Sequence, residues 1–158
     1  MSIHQTPGHV LPARSAAKME AAMAVGAFAI GTGEFAIMGL MPDIAHNLNL
    51  SEPQVGHAIS AYALGVMVGA PLLAILGAKL LRKHMLLLLM GLYALGNLAT
   101  AFTPTFGSLM AFRFISGLPH GAYFGIAAVV ASTMVPNDKR AGAVARVMMG
   151  LTLAMLLG

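Results

Sequence analysis

The stretch AAMAVGAFAIGTGEFAIMGLMP, Ala21 to Pro42, decides how this chain is to be read. Its residues are apolar or small, except for one carboxylate, Glu34. A bilayer core about 30 Å thick is crossed by about 20 such residues in helical form. The stretch is long enough to cross, and the acid inside it needs a reason.

Composition puts the rest of the chain in the same solvent. Of 158 residues, 58% are hydrophobic and only 9% are charged, where a soluble domain carries about 25% charged residues. Mean hydropathy is +0.82. So few charges could not cover a water-facing surface, and the lipid bilayer is the expected partner. The formal net charge of +4 falls in short clusters between long apolar runs. No aromatic residues interleave with them, so no nucleic acid is expected as a partner. Cysteine is absent, which excludes disulfides and thiolate metal sites. The histidines, at 4, 9, 46, 57, 84 and 120, lack metal-ligand spacing, and HExxH, GxSxG and GxxxxGK[ST] do not occur. No metal, no cofactor and no enzymatic activity are expected.

Four more apolar runs follow. Val55–Ala78 is a second span without charge. Met85–Phe112 is cut by TPT at 103–105, which gives a third span at 84–102 and a fourth at 107–134. A fifth begins near Ala141 and stops at Gly158, too short to cross comfortably. Ser51 and Gln54 of SEPQ form a capping-box pattern ahead of the second span, and Asn137 or Asp138 can cap the fifth. Residues 1–18 read as a polar tail and 19–158 as the membrane part. The expected fold is an all-α polytopic membrane protein with four full spans and the start of another.

Cations set the orientation. Arg14 and Lys18 precede span one; Lys79, Arg82 and Lys83 follow span two; Lys139, Arg140 and Arg146 follow span four. The two intervening turns carry no Lys or Arg. By the positive-inside rule the N-terminus is cytoplasmic.

Two charges remain in the membrane. Glu34 lies about seven residues before Met41 and Arg113 about six after Gly107, so both sit roughly 9–11 Å below the outer surface. An ionisable group at mid-membrane costs roughly 3 kcal/mol on insertion scales and usually faces a bundle interior. Opposite signs at matched depth suggest a facing pair, or two groups lining one wet cavity. The alternative is structural, with Arg113 snorkelling outward and Glu34 held as a buried pair member. On span four, Gly117, Gly121 and Gly125 follow Arg113 at intervals of four. This small-xxx-small stripe reads first as helix packing and second as a sliding surface. Gly65 and Gly69, then Gly150, Ala154 and Gly158, repeat it. Pro119 should kink span four. His120 beside it reads as a hydrogen-bonded packing residue before a proton relay.

Two segments carry a resemblance. GTGEFAIMGLMPDIAHNLNLSEPQVGHAISAYALGVMVGAP, followed by RFISGLPHGAYFG, resembles the N-terminal third of bacterial efflux permeases of the major facilitator superfamily. It is most similar to the arabinose-efflux-permease-like branch of the drug:proton antiporters. R-x-x-x-G-x-x-x-G at 113–121 matches that family's span-four motif, whose arginine is associated with proton coupling. The resemblance therefore implies roles for Arg113, Gly117 and Gly121, and for Glu34 as the family's span-one acid. The turn GAKLLRKH keeps Gly77, Arg82 and Lys83 of the family's cytoplasmic turn motif but lacks its aspartate and second glycine. The resemblance also implies about twelve spans in two pseudo-symmetric halves, with the first and fourth helices equivalent and lining the cavity.

The functional expectation is part of a proton-coupled secondary transporter that exports a small, sugar-like or drug-like solute across the bacterial inner membrane. Its partners would be protons, a small-molecule substrate and the missing C-terminal half of the same transporter. The alternatives are a small oligomeric multidrug-type exporter and an inert truncated remnant.

The absence of cysteine makes the topology directly testable. Asn47→Cys should react with an impermeant thiol reagent added outside, and Leu81→Cys only when it is added inside. The reverse pattern would reject the orientation.

Overall fold

The computed structural model describes residues 11–157. Helix α1 spans Ala13–Gly39, α2 Met41–Leu48, α3 Glu52–Leu76, α4 Arg82–Ala101, α5 Phe106–Thr133 and α6 Arg140–Leu157. A 3₁₀ turn, Asn137–Lys139, leads into α6. Five helical segments are long and apolar enough to cross a membrane.

Several helix ends differ from the sequence expectation. The tail assigned to residues 1–18 gives way to helix at Ala13, because the carbonyl of Pro12 accepts from the amides of Ser15 at 2.8 Å and Ala16 at 3.0 Å. Its remaining part, 1–10, lies outside the described residues. The fifth segment, expected to be too short, is corrected as well: with its 3₁₀ turn, Asn137–Leu157 is 21 residues of crossing length. Asn137 and Asp138 form that turn rather than cap α6, and Pro136 stands at its N-cap. The segment after span one is not a plain loop, since it folds as α2. Pro42 opens α2, and Asn49 closes it in the left-handed conformation with φ of 52°. Leu50 N–H reaches Ala45 C=O at 2.9 Å and Asn49 N–H reaches His46 C=O at 3.3 Å. That pair of bonds is a Schellman close.

The SEPQ cap and the TPT break act as read. Gln54 Oε1 accepts from the backbone N–H of Ser51 at 2.9 Å and from its hydroxyl at 3.0 Å. After the TPT break, Thr105 caps α5 by accepting from Ser108 N–H at 3.3 Å, while Thr105 N–H donates to Ser108 Oγ at 3.2 Å. Gly77 ends α3, with its N–H on Leu73 C=O at 2.9 Å, and Arg82 and Lys83 open α4. The helix continues through Pro119, which is fully buried.

In lipid, helices gain nothing from hiding apolar surface from one another, so close backbone approach and interhelical hydrogen bonds hold the bundle. Helix α5 packs on α3, α4, α6 and α1. A Cβ on Gly65 would strike the Phe114 carbonyl, one on Gly69 the backbone of Leu118, and one on Gly117 the Tyr62 carbonyl. Gly121 faces Ala70 and Val66. The partners advance together along both chains, so α3 and α5 are parallel. Helices α1 and α6 repeat this arrangement: Gly150 lies against the Ala24 carbonyl and Gly31 against Ala154. Gly158 lies outside the described residues. Gly125 departs from the expected packing stripe, because a Cβ there would meet nothing within 4 Å. It lies one turn past the contact and is exposed.

One ion pair joins α1 to α6. Arg146 donates from Nε to Glu20 Oε2 at 2.6 Å and from Nη2 to Oε1 at 3.1 Å. Glu20 is buried and Arg146 half exposed. The sequence reading counted Arg146 only as a topological cation and passed over Glu20.

The glycine contacts set different costs along one stripe. Gly69→Val and Gly117→Val force backbones apart and should each destabilise the bundle by about 2 kcal/mol or more. Gly125→Ala should be neutral, or stabilising by up to about 1 kcal/mol through the helix preference of alanine. Reversible unfolding in mixed micelles would check the ranking.

Candidate functional site

The close α3–α5 contact brings Tyr62 beneath Arg113. The guanidinium carbon lies 4.3 Å from the Tyr62 ring centroid, within cation–π range. Arg113 is 1% exposed, and its Nε and Nη2 have no hydrogen-bond partner among the described residues. The Tyr62 hydroxyl hydrogen-bonds His120 Nδ1 at 2.8 Å. Glu34 Oε2 lies 3.8 Å from that same nitrogen. A continuous chain Glu34–His120–Tyr62–Arg113 therefore runs across α1, α5 and α3.

The two membrane charges do not touch. Among the described residues the ion pair is Arg146 with Glu20, while Glu34 lies beside the His120 imidazole. Of the two expected arrangements, a facing pair or two groups lining one wet cavity, the described contacts hold no direct Glu34–Arg113 pair but link the two through an imidazole and a phenol. The physical reason is register: one turn separates Gly117 from Arg113 and another separates it from His120, and the Tyr62 ring fills the space between. Arg113 does not snorkel, since it is among the most buried side chains. Glu34 is partly exposed, with 35% of its side chain accessible. His120 packs edge-on to Tyr62 and lies 5.0 Å from Phe124, while also hydrogen-bonding Tyr62.

All three tyrosines of the chain spend their hydroxyls between helices. Tyr93 donates to Ile30 C=O at 2.8 Å and Tyr123 to Met23 C=O at 2.9 Å. These bonds clamp α1 to α4 and α5, and Gly33 and Gly26 leave room for the two phenols. The sequence reading missed the tyrosines. The available signal was a phenol in each of three apolar runs, since a buried Tyr needs a partner for its O–H. No group of three or more His, Asp or Glu that could hold a metal occurs among the described residues.

The comparisons with known proteins bear on this geometry. The profile of the Major Facilitator Superfamily matches residues 23–158. The chain belongs to the major facilitator superfamily. It is therefore a multi-pass membrane protein of a transporter family. The Inner membrane transport protein YdhP of Escherichia coli is 50% identical over 137 residues, covering 87% of this chain and 35% of that protein. The Chloramphenicol resistance protein of Streptomyces lividans is 36% identical, over 86% of this chain and 35% of its own length. A protein of Helicobacter pylori named "Probable sugar efflux transporter" is 33% identical, over 85% and 34%. The chain thus spans about a third of the length of the curated relatives it matches. Within this superfamily member, Glu34, Tyr62, Arg113 and His120 all fall inside the matched region.

A buried guanidinium without hydrogen-bond partners costs stability, and apolar replacement of buried charge is often neutral or stabilising by about 1–4 kcal/mol. Arg113→Met should therefore leave the bundle as stable as the parent or more so, in the same micelle assay. A loss of more than about 2 kcal/mol would make Arg113 a structural residue.

Proposed function

We propose that this chain forms the first part of a proton-coupled exporter of a small solute in the bacterial inner membrane, with its N-terminus cytoplasmic. The single observation that carries this reading is the Glu34–His120–Tyr62–Arg113 chain. It places a partly exposed acid beside an imidazole that is hydrogen-bonded to a phenol, and lays the ring of that phenol against a buried guanidinium. A carboxyl at the edge of a nearly dry site can bind a proton or release it as substrate or water approaches. Its charge then biases which side of the transporter is open, by differential interaction with the two states. Glu34 is the proton carrier in this reading. Arg113 supplies the counter-field through Tyr62, and the glycine contacts of Gly117 and Gly121 let α5 move against α3.

Export is the favoured direction because one relative carries efflux in its name and another resistance. The solute is sugar-like or drug-like on the same ground. Completion of the cavity falls to the part of the transporter that corresponds to the two thirds of the relatives' length this chain does not span. The alternative of a small oligomeric exporter is less favoured, since the superfamily match extends through α6.

Glu34→Gln keeps shape and hydrogen bonding but cannot titrate. In a full-length transporter carrying this N-terminal part, it should abolish uphill export driven by a pH gradient, with insertion and expression unchanged. Export at the parent rate would sink the assignment.

A further inference from the structure

One nitrogen of His120 stands between two oxygens that come from different helices. Nδ1 lies 2.8 Å from the Tyr62 hydroxyl of α3 and 3.8 Å from Glu34 Oε2 of α1. A ring nitrogen of a neutral imidazole holds either a proton or a lone pair, in one direction in the ring plane. It makes one good hydrogen bond at a time, and here two neighbours compete for it.

Proton accounting decides which form Nδ1 takes. Among the described residues, the hydrogen bond of the Tyr62 hydroxyl is the one to His120. A proton on Nδ1 would leave the phenol proton without that acceptor, at the cost of an unmade bond in a buried site. The guanidinium over the Tyr62 ring favours the same direction, because a cation on the ring face draws electrons from the phenol and strengthens it as a donor. Tyr62 is therefore the donor and Nδ1 the acceptor, and the ring proton sits on Nε2. An ionised Glu34 has no proton to offer that lone pair and stands off at 3.8 Å. A protonated Glu34 is a second donor for it, and its side chain, 35% accessible, has room to turn.

We propose that His120 is a positioning residue that reads the protonation state of Glu34 and passes it to α3. With Glu34 ionised, Tyr62 holds Nδ1. With Glu34 protonated, the carboxyl O–H takes Nδ1 and the Tyr62 hydroxyl is released. No proton moves onto the imidazole, so no new charge is buried there. The exchange frees a phenol whose ring lies on Arg113 and whose backbone carbonyl lies at Gly117, in the contact of α3 with α5. The proposal rests on the transport reading in taking Glu34 as the group that binds the proton. Few other titratable groups face the pair. Arg113 of α5 lies against Tyr62, and Tyr93 of α4 spends its hydroxyl on Ile30 C=O. Helix α2 carries exposed Asp43 and His46 past the end of α1, and α6 carries Arg140 and Arg146, the latter held by Glu20.

The test titrates the 158-residue chain in lipid vesicles by infrared difference spectroscopy. The protonated carboxyl of Glu34 is the band that Glu34→Gln removes. Tyr62→Phe keeps the ring over Arg113 and deletes the competing donor. The Tyr62–His120 bond favours the ionised carboxylate, so its loss should move the midpoint of that band up by about 0.5–1 pH unit, the worth of one net hydrogen bond. In a His120→Leu background the same Tyr62→Phe change should move nothing. An unmoved midpoint in Tyr62→Phe, or an equal shift in the His120→Leu background, would overturn the proposal. So would a Glu34 that takes up no proton across the pH range in which the chain stays folded. Nitrogen NMR of the imidazole, assigned by its loss in His120→Gln, should show Nδ1 without a proton on both sides of the midpoint. A proton on Nδ1 on either side would overturn the proposal as well. Tyr62→Phe and the NMR reading decide the matter if His120→Leu does not fold. None of these readings needs transport. A Glu34→Gln transporter that still exports would remove the function and leave the switch, while an unmoved midpoint would remove the switch alone.

Discussion

The close approach of α3 and α5 is the constraint on which the site depends. Gly65 and Gly69 bring the α3 backbone against that of α5, and Gly117 returns the contact. In lipid such contact is a main source of helix affinity, because burial of apolar side chains gives little. It also sets register. The carbonyl of Tyr62 lies at Gly117, so the Tyr62 ring must lie one turn from that contact, under Arg113, with its hydroxyl at His120. A packing motif and a chemical motif share one stretch of α5 for this reason.

The same logic recurs on the other side of the bundle. Helix α6 meets α1 through Gly150 and Gly31, as α3 meets α5. The two parallel pairs are what a superfamily of repeated three-helix units would produce, with α1 and α5 in equivalent places. The Glu20–Arg146 pair adds a hydrogen-bonded charge contact where α1 and α6 begin. Its carboxylate is buried while its arginine stays half in solvent, so the guanidinium remains largely hydrated.

Two polar systems thus serve different ends. The hydroxyls of Tyr93 and Tyr123 donate to α1 carbonyls and hold that helix in place. The Glu34–His120–Tyr62–Arg113 chain leaves Arg113 donors without partners and Glu34 partly exposed. A purely structural network would satisfy its buried groups, because each orphan donor costs free energy. The incompleteness is what distinguishes the second system from the first.

Much of this was legible in the residues. The apolar runs, the break at TPT, the SEPQ cap and the membrane position of Glu34 and Arg113 follow from local chemistry: lipid solvation, missing amides and the cost of charge. The glycine stripe was legible as a packing surface, but not its end, since Gly125 and Gly121 look alike until the partner helix is present. The start of α1 at Ala13 and the α2 helix were hidden because their residues carry weaker signals than the apolar runs beside them. Matched depth suggested that Glu34 and Arg113 share an interior. Only tertiary structure decided that they meet through His120 and Tyr62, because sequence spacing gives height along each helix axis, while the rotation of one helix against another depends on which backbones can touch.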